Sequence, residues 1–347
     1  MYANYLILVN KNFSARTRRF WKRYKALILS EFADADLDFL DSDQPPIRLT
    51  NREVVILIGD VSFFSRVVNC YFDRLADTMI ALIPDKAHSE LASNLQIPAK
   101  VSEIIKLVKC RQAIPLDVIR CHYIDMQGLP ANCIVLNDIV IGISPRRFPL
   151  LLKTIVRLCK YSSWYPFGKR ESTIALLRNK EEIYRGKYLI SLILLGNTIT
   201  YGPTITQKKR INLNRFDYFQ LNPQTVMEIV SPFTGMFSEF PRVDDRNLWH
   251  RQFSELEIRG LGRENNLIAD GICIGRLPAS FTLLPKALRV ISPLNVVTVK
   301  SPWKKKAAFA QKVPTPIGSK EALWSKPLLF PADGKPNRSL LNSVGIE

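Results

Sequence analysis

Val54-Val55-Ile56-Leu57-Ile58-Gly59-Asp60-Val61-Ser62-Phe63-Phe64 is the stretch that decides how the chain reads. Five apolar residues break at Gly59-Asp60, and a pattern with helical spacing opens from Ser62. A buried strand, a turn and a helix in that order form the unit on which α/β folds hold anions. The free N–H groups of the turn and the helix N-terminus both favour negative charge. Two readings stay open at this turn. Phosphate-cradling loops are rich in glycine, because the backbone must approach the ligand closely and often takes positive φ. Here Gly59 stands alone, and the β-branched Val61 sits where a second glycine would help. In the other reading Asp60 and Ser62 turn the chain and cap the next helix.

The neighbouring segments repeat the alternation. Tyr5 to Val9 reads as a buried strand, followed by a turn over Asn10 to Ser14. A helix from Ser14 places Phe20, Tyr24, Leu27 and Ile28 on one face and Arg16, Arg18, Arg19, Lys22, Arg23 and Lys25 on the other. Strands follow at Leu37 to Leu40, Val54 to Ile58 and Thr78 to Ile83, with helices at Phe63 to Leu75, Ser89 to Leu95 and Val101 to Cys110. Strands alternating with helices of this length predict a doubly wound parallel sheet. Its ligand edge lies where Asn10, Gly59-Asp60 and Pro84-Asp85 emerge from three strands.

Beyond about residue 112 the rhythm changes to successive strands: Leu116 to Asp125, Asn132 to Ile143, Ser172 to Leu177, Tyr188 to Asn197, Phe216 to Leu221, Ser254 to Arg259 and Ser280 to Leu284. One helical stretch, Pro145 to Tyr161, interrupts them. The fold class is therefore α/β plus all-β, an N-terminal doubly wound domain followed by an antiparallel sandwich or barrel, with a cleft between them. The expected boundaries are 1–115 with a strand returning at about 286–299, then 116–285. Residues 300–347 carry Lys304-Lys305-Lys306, scattered prolines and little periodicity, and are expected to form a disordered basic tail.

The 347 residues carry a net charge of +18, which calls for an anionic partner: phosphate ligands, acidic lipid or nucleic acid. Nucleic acid ranks last, since no motif interleaves aromatic and basic residues. The six cysteines form no C-x-x-C pair and lie in apolar segments, the pattern of reduced core thiols in a cytoplasmic protein. The longest apolar runs, such as Tyr188 to Leu195, are too short to span a bilayer, and no signal peptide is recognisable. Localisation is expected to be cytoplasmic, with peripheral attachment to the inner membrane surface.

Several turns together resemble those of the diacylglycerol kinase catalytic family, which includes bacterial lipid kinases and sphingosine kinases. Pro84 to Pro98 is similar without a gap to the family's P-x-G-T-x-N-D-[FL]-A-x-x-L-x-[IL]-P, matching at Pro84, Leu91, Ala92, Leu95, Ile97 and Pro98. Ile58 to Ser62 stands at the family's G-G-D-G-T, and Asn10 to Ala15 at its N-P-x-S-G turn, offset by one residue. Ala269-Asp270-Gly271-Ile272, followed by Ala287 to Pro293, looks like its D-G-E and closing strand. Leu195-Gly196-Asn197 and Tyr201-Gly202 fall where the β domain's G-N and Y-G turns belong. The likeness covers about residues 5 to 295, and the order and spacing of the motifs carry it.

The resemblance implies ATP and Mg²⁺ as cofactors and a lipid hydroxyl as acceptor. It places nucleotide or phosphate contacts at Asn10, Ser14, Gly59, Asp60, Ser62, Lys86, His88 and Ser89, catalytic carboxylates at Asp60 and Asp270, and a metal-linked carboxylate at Asp217. This chain departs from the pattern where the chemistry sits. Ile58 and Val61 replace two glycines, Lys86-Ala87-His88-Ser89 replaces G-T-x-N, and Ile272 stands at the base position. In the D-G-x-[LF]-D segment, Leu213 to Asp217, only the final acid remains. A lost base commonly costs about 10² to 10⁴ in rate. The expectation is a degenerate lipid-kinase-like protein that binds a lipid or lipid phosphate in the cleft. The alternatives are an active ATP- and Mg-dependent lipid kinase and a membrane-associated interaction protein.

Overall fold

The structure, a computed structural model, describes residues 5–10, 14–40, 53–86, 89–142, 172–188, 190–196, 200, 214–221, 248–261 and 266–294. All of them fall within one unit, Met1–Asn295. The first half alternates as the hydrophobic periods predict. Strand β1 (Tyr5–Asn10) leads to helix α1 (Ala15–Glu31), β2 (Asp36–Leu40), β3 (Val54–Gly59), α2 (Val61–Leu75), β4 (Met79–Pro84), α3 (Glu90–Asn94) and α4 (Val101–Cys110). The strands pair in parallel in the order β4-β3-β1-β2. β1, β3 and β4 are almost continuously apolar because helices cover a parallel sheet, whereas β2, at the end of this order, carries Asp36 and Asp38 and is largely exposed.

Antiparallel strands follow: β5 (Ala113–Asp125), β6 (Pro130–Val135), β7 (Asp138–Gly142), β8 (Ser172–Arg178), β9 (Glu181–Tyr188), β10 (Ile190–Leu194), β11 (Phe216–Leu221), β12 (Leu248–Phe253), β13 (Glu255–Gly260) and β14 (Asn266–Ala269). The last strand, β15 (Ile272–Ile291), pairs antiparallel with β14, β13 and β5, then parallel with β4 through Arg289 and Val290. Two hydrophobic cores result. Ile56, Leu57, Phe64 and Ile105 belong to the first, Tyr188, Tyr218, Phe216 and Phe281 to the second. β15 contributes Leu277, Phe281 and Leu283 to the second and Leu288, Val290 and Ile291 to the first.

Several sequence expectations need correction. Helix α2 begins at Val61 rather than Phe63, because Asp60 caps it directly. The run Asn132 to Ile143 is two strands, since Asn137 and Asp138 turn their side chains into a buried polar cluster. Tyr188 to Asn197 likewise spans the end of β9 and all of β10, and the strand at Ser280 to Leu284 is one part of β15. On α1, Leu27 is exposed and Trp21 takes its place in the core beside Ile28. Cys70, Cys110 and Cys273 are exposed rather than buried in the core. The helix read at Pro145 to Tyr161, the turn at Tyr201-Gly202, and the segment from Lys300 lie outside the described residues.

Candidate functional site

The three strand ends meet at one edge. Gly59 pairs with Pro84 across β3 and β4, Val9 pairs with Ile58 across β1 and β3, and the amide of Asp85 donates to the Gly59 carbonyl at 3.0 Å. Asn10, the last residue of β1, is buried beside them. Helix α1 enters this edge with Ser14 as its N-cap: the Thr17 amide donates to Ser14 Oγ at 3.1 Å. The Thr17 hydroxyl then donates to Asp85 Oδ2 at 2.6 Å, tying the first turn of α1 to the end of β4. Burial pushes the Asp85 carboxyl up, the Thr17 bond pulls it down, and the Asp60 charge lifts it further. The charge of Asp60 thus acts on Asp85 where the sheet ends.

The central turn is built for packing. The Phe63 amide donates to Asp60 Oδ1 at 2.9 Å, so Asp60 serves as the N-cap of α2 with extended backbone angles. A Cβ added at Gly59 would lie 2.8 Å from Cδ1 of Phe63. The glycine therefore admits the phenyl ring of the following helix. Val61 takes up the helix without a positive φ, because the turn has no free loop residue. On the far side, Lys86 pairs with Glu90 at 3.4 Å, and Ser89 is the buried N-cap of α3, accepting from the Ala92 amide at 3.3 Å. His88 lies outside the described residues.

Asp270 sits in a different place. It is fully buried in the turn between β14 and β15, with φ +47, and accepts backbone N–H groups from Leu136 at 2.9 Å, Asn137 at 2.9 Å and Asp138 at 3.2 Å. A hydroxyl bond from Ser65 on α2 joins them. Burial raises its pKa and these donors lower it. Ser62 reaches the same turn, donating its hydroxyl to the Asp270 carbonyl at 3.3 Å. The structure thus brings Ser62 to Asp270, and the carboxylate of Asp270 pins the corner between β6 and β7. Ile272 is the first residue of β15, half-buried. Asp217, on β11, lies two strands from Asp138, both paired with Leu194 on β10; it accepts from Gln252 Nε2 at 3.0 Å and bonds His250 Nε2 at 2.7 Å. Among the described residues, no group of three or more His, Cys, Asp or Glu side chains is disposed to hold a metal ion.

Sequence reasoning missed a buried polar chain that links α3 to the corner. Asn94 Nδ2 donates to Asn137 Oδ1 at 2.6 Å, and Asn137 Nδ2 donates to Asp138 Oδ1 at 2.9 Å and to Thr200 Oγ1 at 3.0 Å. Thr200 also donates its amide to Asp138 Oδ1 at 3.1 Å, and its hydroxyl makes a second, short bond there. Burial and the Asp270 charge lift Asp138 to about 7. A small, part-open pocket of about 10 Å³ lies beside this chain. Leu91, Leu95, Leu116 and Leu136 wall it from the first core, Leu195 from the second, and Asp117 and Arg215 add charge. Asp117 accepts the amides of Asn214 at 3.0 Å and Lys286 at 2.8 Å, both residues at positive φ, so one carboxylate holds two turns 97 and 169 residues away in sequence. The available signal was a polar residue inside an apolar run: Asp117 between Leu116 and Val118, and Asn137-Asp138 between Leu136 and Ile139.

No protein-family profile matches the chain, and no curated protein does. Solved structures do. A candidate diacylglycerol kinase from Bacillus anthracis str. Sterne superposes with a TM-score of 0.66 at 14% identity, over 85% of this chain and 99% of that one. A second structure of a candidate diacylglycerol kinase from that source gives 0.63 at 12%, over 84% and 97%. A third, of a diacylglycerol kinase from the same source, gives 0.63 at 14%, over 85% and 98%. With the α/β sheet, the antiparallel strands and the returning β15 all in place, the chain carries the fold of a diacylglycerol kinase-like catalytic domain.

Proposed function

We propose that this protein is a degenerate member of the lipid-kinase fold, binding a lipid or lipid phosphate in the cleft between its two cores with little or no phosphoryl transfer. The observation that carries the reading is the Gly59-Asp60 turn. Phe63 occupies the space over Gly59, and the Asp60 carboxylate and the Phe63 amide are used by one another. A triphosphate needs open backbone N–H groups there. It would meet the ring, and beyond it the carboxylates of Asp60 and Asp85. The residues present do not fit ATP at this turn. The lining of the pocket supports the lipid half of the reading, five leucines with Arg215 among them, and the pocket must widen to take acyl or glycerol carbon. The division into an α/β and a β domain meeting near residues 112–118 belongs to the same proposal, supported by the two separate cores.

A second reading, an active ATP- and Mg²⁺-dependent lipid kinase, is favoured by Asp60 and Asp85, the residues that would hold a divalent cation at this edge. The six exposed cations of α1 support an anionic membrane surface as partner under either reading. None of the described helices is long and apolar enough to cross a membrane. Mass spectrometry of small molecules extracted from the purified protein, combined with calorimetric titration of ATP–Mg²⁺, separates the readings. Co-purifying lipid with no nucleotide heat is the expected result; nucleotide binding with no lipid overturns it.

A further inference from the structure

Cys121 and Cys133 stand directly opposite one another on the antiparallel strands β5 and β6, between the pairs Arg120–Ile134 and His122–Asn132. Opposed residues on such a ladder have Cα atoms about 4.5 to 5.5 Å apart, inside the 4.4 to 6.8 Å window that a disulfide spans. Their side chains share a face of the hairpin, and the two thiols are close enough to hydrogen-bond. Both are free thiols. Their exposure differs: Cys121 is fully buried in the second core, whereas Cys133 is half-buried at its margin.

We propose that Cys121 and Cys133 are a redox-active pair that closes to a cross-strand disulfide when the protein meets hydrogen peroxide. Burial holds the Cys121 thiol well above its ordinary pKa, so the accessible Cys133 reacts first. Cys133 loses its proton, the thiolate attacks hydrogen peroxide, the O–O bond breaks leaving sulfenic acid on Cys133, and the departing hydroxide takes the released proton as water. The Cys121 sulfur then attacks the Cys133 sulfur, the S–O bond breaks, and the departing hydroxide takes the Cys121 proton as a second water. Two thiols are oxidised by two electrons and one peroxide is reduced to two waters. A dithiol reductant reverses the bond.

The placement gives the bond a consequence. One residue beyond Cys133, the backbone of Ile134 exchanges two hydrogen bonds with the Asn69 amide on α2, at 2.6 and 2.7 Å. Leu136 and Asn137 then clamp Asp270 and line the cleft, and Leu116 and Asp117 on β5 line it too. A disulfide at this rung fixes the two strands whose ends build the cleft wall.

The test uses the full, reduced chain in native buffer, exposed to hydrogen peroxide, then unfolded, alkylated and digested without reductant. The expected product is a linked peptide pair containing Cys121 and Cys133, lighter by two hydrogens and released by dithiothreitol. Cys133→Ser should leave Cys121 fully alkylatable. The proposal is overturned if Cys133 is recovered alkylated or as sulfinic acid with no link to Cys121. It is equally overturned if linkage appears only in urea, or if Cys121 is lost as readily in Cys133→Ser.

Discussion

Phe63 lies over Gly59 at a distance that leaves no room for a side chain: a Cβ there would be 2.8 Å from Cδ1 of the ring and 3.2 Å from Cβ and Cγ. Gly59→Ala should therefore destabilise the protein by about 1 to 3 kcal/mol through overpacking. Phe63→Leu should absorb most of that penalty when the two changes are combined. Urea denaturation of the four proteins in this cycle measures the coupling, and additive effects would show that Gly59 serves something other than the ring.

Asp270→Asn should lower stability by roughly 2 to 4 kcal/mol, because an amide offers one acceptor where the carboxylate answers three backbone N–H groups and a hydroxyl. The positive φ of Asp270 is tolerated by Asn, so the backbone is not the cause. An unchanged denaturation midpoint would mean that Asp270 does not hold the corner between β6 and β7.

The pH dependence of stability follows from Asp138. Burial and the Asp270 charge raise its folded-state pKa to about 7, above the unfolded value near 3.8. The folded protein therefore binds the extra proton, and the stability that proton supplies is fully present below about pH 4 and lost as pH rises through 7. The slope approaches about 1.4 kcal/mol per pH unit for one proton. Asp138→Asn should flatten this part of the curve in denaturation series from pH 4 to 8. A slope that persists unchanged places the titration elsewhere.

Arg16, Arg18, Arg19, Lys22, Arg23 and Lys25 are all exposed along α1. In flotation assays the protein should bind phosphatidylserine vesicles at low salt and release at high salt. Arg19→Glu with Lys22→Glu should weaken binding by about 1 kcal/mol for each positive charge removed. Equal binding to neutral vesicles would remove α1 as the cause.

Radiolabelled ATP with diacylglycerol, sphingoid and glycerolipid acceptors should give no turnover near the usual kinase range of about 1 s⁻¹. Ile272→Glu alone should not restore it, because the base and the Gly59-Asp60 turn belong to separate steps, proton transfer and nucleotide binding. Wild-type turnover abolished by Asp60→Ala would establish the active-kinase reading instead.

What the sequence alone determined is the part governed by local physics. Apolar runs and helical spacing placed β1, β3, β4 and α4, since burial of those faces repeats at fixed periods along the chain. Ser14, Asp60 and Ser89 were legible as residues at helix starts, because a cap needs only its own first turn. The tertiary structure decided the rest. Whether Gly59 admits a ligand or a ring depends on where α2 packs. That Asp270 faces inward depends on amides 132 to 134 residues away. The division of Asn132 to Ile143 into two strands follows from the same buried cluster, and the pairing of Cys121 with Cys133 from the register of β5 on β6. Hydrogen-bond partners and cross-strand neighbours so distant in sequence leave no periodic trace in it, and packing alone brings them together.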